Sequence, residues 1–185
     1  MKAVCISTDR VVAQVTPAQF DWPTPCAEWN VRQLANHLLA TLDLGRALLT
    51  DEMPAVQAGP GQVPAEDLIG DDLTESYRSG VGALIAATTA DSIDRVHLTP
   101  LGEMPGAGLA GFTALDVLVH GWDLAKATGQ ETTLDAGLAG QLLGFARQAI
   151  SDDTGTRAPL IGAEIRASAD ADPTTQLVAF LGRQP

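Results

Sequence analysis

Residues 108–129, GLAGFTALDVLVHGWDLAKATG, are apolar on almost every side of a helical wheel, because Leu118 and Trp122 face opposite to Phe112 and Val119. A helix of this kind is buried on most sides, so the two ionisable residues at its centre, Asp116 and His120, need an explanation. They stand four residues apart, which puts their side chains on one stripe a turn apart, and Asp123 and Ala127 continue that stripe. Gly129 supplies a usual helix stop.

A second helix is equally plain in residues 28–52, EWNVRQLANHLLATLDLGRALLTDE. Val31, Leu34, Leu38, Leu42, Leu48 and Leu49 fall on one face, while Arg32, Gln33, Asn36, Asp43, Arg46 and Asp51 fall on the other. His37 lies inside the apolar arc, between Leu34 and Leu44, and is expected to point toward the core; its neighbour Asn36 is expected to face solvent.

Around these two helices the pattern predicts a short first helix over Lys2 to Val15, a third from about Leu73 to Thr89, another over residues 134–150 and a closing helix from Pro173. Residues 52–65 carry three prolines and read as an exposed loop, and the acidic run 66–75 as a solvated helix start. Residues 94–106 suggest a small hairpin or ordered loop, and GAEIRAS (162–168) a strand. With aromatic residues at 4%, the core must be mostly Ala, Leu and Val, which suits closely packed helices.

A formal charge of −12 argues against nucleic acid and anionic membranes as partners, since both are bound through Lys and Arg. No apolar run has the length of a membrane span or a secretory signal, and the two cysteines, Cys5 and Cys26, make neither a disulfide scaffold nor a zinc spacing. A cytoplasmic protein is the expectation, and a homodimer is compatible with it.

A buried ionised aspartate is costly unless it is paired or coordinates a metal. An Asp–His ion pair within one helix would satisfy Asp116 and His120, and a core histidine bonded to a backbone carbonyl would satisfy His37. An inward histidine on a neighbouring helix tilts the balance toward a cation, because two imidazoles and one carboxylate form the protein half of an open divalent-metal site. His97, outside both helices, reads as an ordinary surface or loop residue, Cys26 as a structural thiol ahead of a helix, and Trp22, Trp29 and Trp122 as packing residues.

The segments TPCAEWNVRQLANHLLATLDLG (24–45) and LDVLVHGWDLAKATGQ (115–130) resemble the two helical motifs of the mycothiol-dependent maleylpyruvate isomerase N-terminal family. The closing PTTQLVAFLGRQP (173–185) is similar to the ends of its short members. The resemblance implies a mainly α, DinB-like four-helix bundle over residues 1–152, with a small α/β C-terminal appendage over 153–185. It also implies a divalent metal held by His37, Asp116 and His120, zinc being the leading candidate and nickel or another ion the alternatives. The isomerase has Glu where this chain has Asp116, one methylene shorter.

The function implied by the resemblance is a thiol-dependent transferase or isomerase, with mycothiol or another low-molecular-weight thiol as co-substrate and a small electrophile as substrate. Asp123, one turn beyond His120, would then support that histidine from behind. Two other readings compete: a non-catalytic metal-binding or stress-associated protein, and a metal-free helical ligand-binding domain.

Overall fold

The computed structural model describes residues 1–56, 58, 61–99, 102–150, 161–168 and 170–185. In chain order the elements are α1 (Lys2–Val12), a 3-10 turn (Pro17–Gln19), α2 (Val31–Thr50), α3 (Leu73–Ala87), α4 (Ala90–Asp94), β1 (Val96–Thr99), β2 (Gly102–Pro105), α5 (Gly106–Thr128), α6 (Ala136–Ala149) and α7 (Pro173–Phe180). They divide into two compact units, Met1–Gln130 and Glu131–Pro185. The expected boundary at 152/153 lies outside the described residues.

In the first unit α1, α2, α3 and α5 form a four-helix bundle: α5 packs on α1 and α2, and α3 closes the ring against the same two. Val31, Leu34, Leu38, Leu42 and Leu49 of α2 are buried together with Leu84 of α3 and Leu118 and Leu124 of α5, in agreement with the apolar stripe expected for α2 except at Leu48, which is half-buried. Asn30 caps α2 by accepting from Gln33 N at 2.9 Å, and the Gln33 side chain returns to Asn30 N at 3.0 Å. At its far end Asp51 takes a left-handed conformation (φ 57°), held there by bonds from His97 and Arg95.

The α2–α5 seam has a register that matters for the site. A Cβ added at Gly45 would lie 2.7 Å from Thr113 Cγ2, Thr41 Oγ1 donates to Asp116 Oδ2 at 2.8 Å, and the His37 and His120 rings are 4.8 Å apart. Contacts that step backward on α2 and forward on α5 mean antiparallel helices, meeting at intervals of about one turn. The small residue Gly45 permits the close approach that brings His37 and His120 together.

Two residues depart from the expected positions. Asn36 is buried rather than solvent-facing, because the segment after the proline-rich loop folds over it. Its Nδ2 donates to Asp67 Oδ1 at 3.1 Å, and its Oδ1 accepts from Leu68 N. His97 is buried rather than superficial, at 1% exposure. The hairpin pairs Val96 with Pro105 and His97 with Met104, and its pleat turns His97 inward while Val96 and Leu98 face solvent.

In the second unit α6 packs on α7. Each starts at an aspartate that accepts from a backbone N–H three residues on, Asp135 from Leu138 and Asp172 from Thr175. Residues 162–168, expected as a strand, join no ladder among the described residues; Ile165 N donates to Ala179 O at 2.9 Å instead. Among the described residues the only sheet is the β1–β2 hairpin. No helix among them is long and apolar enough to cross a membrane.

Candidate metal centre

His37, Asp116 and His120 converge at the middle of the α2–α5 seam, with one potential ligand atom from each lying within 4.8 Å of the others. Asp116 Oδ1 is 3.0 Å from His120 Nε2, and Asp116 Oδ2 is 3.5 Å from His37 Nε2. Both histidines are buried, at 3% and 5% exposure, whereas the Asp116 side chain keeps 39%. The carboxylate is therefore the face of the group that solvent reaches.

The outer nitrogen of each imidazole is committed. His37 Nδ1 lies 2.7 Å from the Gln62 carbonyl oxygen, which only accepts, so Nδ1 carries the proton. His120 Nδ1 lies 2.9 Å from Asp123 Oδ2, a fully buried carboxylate, and donates in the same way. In their neutral forms both rings then turn an Nε2 lone pair toward Asp116. Outer acceptors of this kind are what fix the tautomer and orientation of metal-binding histidines.

Without a cation, His120 is drawn toward the imidazolium. Burial works against its charge, but the Asp116 and Asp123 carboxylates and the bond with Cys26 outweigh burial and lift its pKa well above the ordinary value. Burial likewise opposes ionisation of Asp116, yet the charge of His120 and its hydrogen bond to the carboxylate hold it well below the usual carboxylate range. One positive charge thus already sits where a divalent ion would, among groups able to coordinate it. Two imidazole nitrogens and a carboxylate, with a solvent-facing side, fit an open divalent site.

Four further groups complete the surroundings. Thr41 hydrogen-bonds Asp116 and lies one turn beyond His37 on α2, a spacing present in the sequence that periodicity alone does not single out. Trp29 stacks at a tilt on His37, centroids 4.7 Å apart, and reaches His120 at 6.1 Å, so it walls the site as well as packing. The Gln62 carbonyl carries no sequence signal at all. Cys26, half-buried, sits beside His120 and Asp123 because Thr24 Oγ1 clamps the turn, accepting from Cys26 N at 3.1 Å and donating to Trp29 O at 2.8 Å.

Thr41→Val should keep the packing and remove the bond that orients Asp116. We expect metal affinity to fall by about 10–100-fold, the usual effect of losing an outer partner, in a chelator-competition titration. Unchanged affinity would mean that Thr41 does not orient the carboxylate.

Known proteins resemble this chain in sequence or in fold. Two uncharacterized proteins of Mycobacterium tuberculosis, one from each of two strains, are 31% identical to this chain over 174 residues, covering 94% of it and 90% of their own length. A crystal structure of a histidine-to-alanine mutant of the mycothiol-dependent maleylpyruvate isomerase matches with a TM-score of 0.58 at 18% identity, over 77% of this chain and 64% of that one. A second structure of the isomerase matches with a TM-score of 0.50 at 20% identity, over 66% of this chain and 57% of the other. The chain therefore spans less than two thirds of the isomerase's length, and the likeness is one of fold, the DinB-like bundle. The model of the mycothiol maleylpyruvate isomerase N-terminal domain matches residues 1–125, a span that includes every side chain of the site from Cys26 to Asp123, and the chain belongs to that family.

Proposed function

We propose that this chain holds one divalent metal ion through His37 Nε2, His120 Nε2 and the Asp116 carboxylate. We further propose that it serves a thiol-dependent transfer or isomerisation of a small electrophile, with mycothiol or another low-molecular-weight thiol as co-substrate. The observation that carries the reading is the commitment of both outer nitrogens, His37 Nδ1 to Gln62 and His120 Nδ1 to Asp123, which aims two lone pairs at one carboxylate. Family membership and isomerase neighbours described as mycothiol-dependent support the thiol half.

A divalent ion at such a site supplies a Lewis acid that lowers the pKa of a thiol and stabilises developing negative charge. The chain's own residues do the rest. Asp116, the exposed member, marks the side from which thiol and electrophile enter. Trp29 covers the histidine rings on another side and keeps water from them. Asp123 and Gln62 hold the rings in one tautomer, and Thr41 holds the carboxylate. A reducing, cytoplasmic setting, in which such thiols stay reduced, belongs to the same proposal.

The test has two stages. Protein purified without added metal or a His-tag is compared with Asp116→Ala by elemental analysis, and the native chain should retain about one ion that the variant lacks. The loaded protein is then offered mycothiol and other thiols with a panel of small electrophiles. Equal, negligible metal in both proteins removes the site. Tightly held metal with no thiol-dependent consumption leaves a non-catalytic metal-binding protein.

A further inference from the structure

His120 is shared between two groups of potential ligands, and the second includes Cys26. On the Nδ1 edge of the ring, opposite His37, Cys26 Sγ lies 4.0 Å from His120 Nδ1 and 3.4 Å from Asp123 Oδ2, and Nδ1 and Oδ2 are 2.9 Å apart. Ligand bonds of zinc length around a tetrahedral ion put such sulfur, nitrogen and oxygen atoms about 3.4–3.6 Å from one another. Each of the three observed separations departs from that by about half an ångström or less, within reach of small side-chain rotations. Asp123 is fully buried and His120 nearly so, while Cys26 is half-buried and leaves a way in.

We propose that Cys26 Sγ, His120 Nδ1 and Asp123 Oδ2 form a second cation site that takes a thiophilic divalent ion such as Zn²⁺ or Cd²⁺. The donor set argues for the selectivity. A thiolate prefers soft or borderline ions, and nothing equivalent is present in the nitrogen and oxygen set of His37, Asp116 and His120. Binding releases the Cys26 thiol proton and the Nδ1 proton of the His120 imidazolium to solvent, which frees Nδ1 as a donor atom. The ring keeps its Nε2 proton, which Asp116 Oδ1 accepts at 3.0 Å. An ion on the Cys26 side therefore turns an N–H toward the other site and weakens binding there, so the single imidazole couples the two sites negatively.

Two of this site's three ligands, Cys26 and Asp123, lie outside the His37 group, so the site is testable whether or not the His37 side binds metal. The probe is Cd²⁺ added to metal-free, fully reduced full-length protein, followed by the ultraviolet thiolate-to-cadmium charge-transfer band. The expected result is a band that saturates at one equivalent, persists in Asp116→Asn and Cys5→Ala, and is absent from Cys26→Ala. Asp123→Asn, checked for native helicity by circular dichroism, should weaken Cd²⁺ binding by at least about tenfold. No band in the native chain overturns the proposal, as does a band that survives Cys26→Ala or an affinity unmoved by Asp123→Asn. A band lost in Asp116→Asn would also overturn it, by tying Cd²⁺ to the His37 side.

Discussion

Replacing His120 with Ala should destabilise the metal-free protein by about 3–5 kcal/mol, the range for removing one partner of a buried charged group. The reason is local. Asp123 is 0% exposed and His120 Nδ1 is its charged partner, so the variant removes the countercharge from a carboxylate held in the interior. The Asp116 side of the same ring contributes less, since that carboxylate is 39% exposed and is solvated and screened. His37→Ala removes a ring whose Nδ1 partner is a neutral backbone carbonyl and leaves no buried ion behind. Its cost should therefore stay near that of a lost hydrogen bond and a small cavity, about 1–3 kcal/mol. Urea denaturation in chelator measures both, and equal losses would show that the Asp123–His120 pair is not a buried ion pair.

The same ring and its exposed partner Asp116 contribute a pH-dependent part of the metal-free chain's stability. His120 has a raised folded pKa, so its contribution is complete below the ordinary histidine value of 6.5 and is lost as pH climbs toward the folded value. Asp116 has a depressed folded pKa, so its contribution is complete above the ordinary aspartate value of 3.8 and is lost as pH falls below it. Stability from this pair should thus be greatest between those two values, as urea denaturation across a pH series would measure.

The legible part of the sequence is the part governed by local periodicity. The α2 and α5 faces, their inward histidines and the Asp116–His120 spacing all follow from which residues share a helical stripe. The rest depends on where other segments fold. Asn36 is polar on a polar stripe, and only the segment around Asp67 and Leu68, packed over α2, makes it a core residue. Cys26 reads as inert because nothing near it in sequence is basic; its neighbours His120 and Asp123 arrive from 94 and 97 residues away. His97 reads as superficial because the hairpin presents Val96 and Leu98 outward, against the usual alternation, and spends its inward position on a histidine. The short α4 is marked by the Thr89–Ser92 capping box, whose signal is weak beside the longer helices.

His97 also ties together the region with the second large expected effect, Gly106→Ala. Gly106 begins α5, and a Cβ there would lie 1.9 Å from the Ser92 carbonyl oxygen, a backbone atom that no side-chain rotation moves aside. The same oxygen accepts from His97 Nε2 at 2.7 Å, while Gly106 N donates to Arg95 O at 2.8 Å. The methyl group must therefore push α4 off the start of α5 and break the bond that anchors the buried His97 to Ser92. Overpacking alone costs about 1–3 kcal/mol and the lost bond adds about 1 kcal/mol, so we expect a loss of about 2–4 kcal/mol, toward the upper end because the clash is with backbone. Gly108→Ala is the control two residues on. Its new Cβ would meet only Met104 Cγ at 3.6 Å, an ordinary contact, so the higher helix propensity of Ala should leave it between neutral and about 1 kcal/mol more stable. Thermal or urea unfolding of the two variants should move in opposite directions. Similar shifts would mean that α4 does not press on the first turn of α5, and that His97 holds the hairpin to the bundle through Asp51 alone.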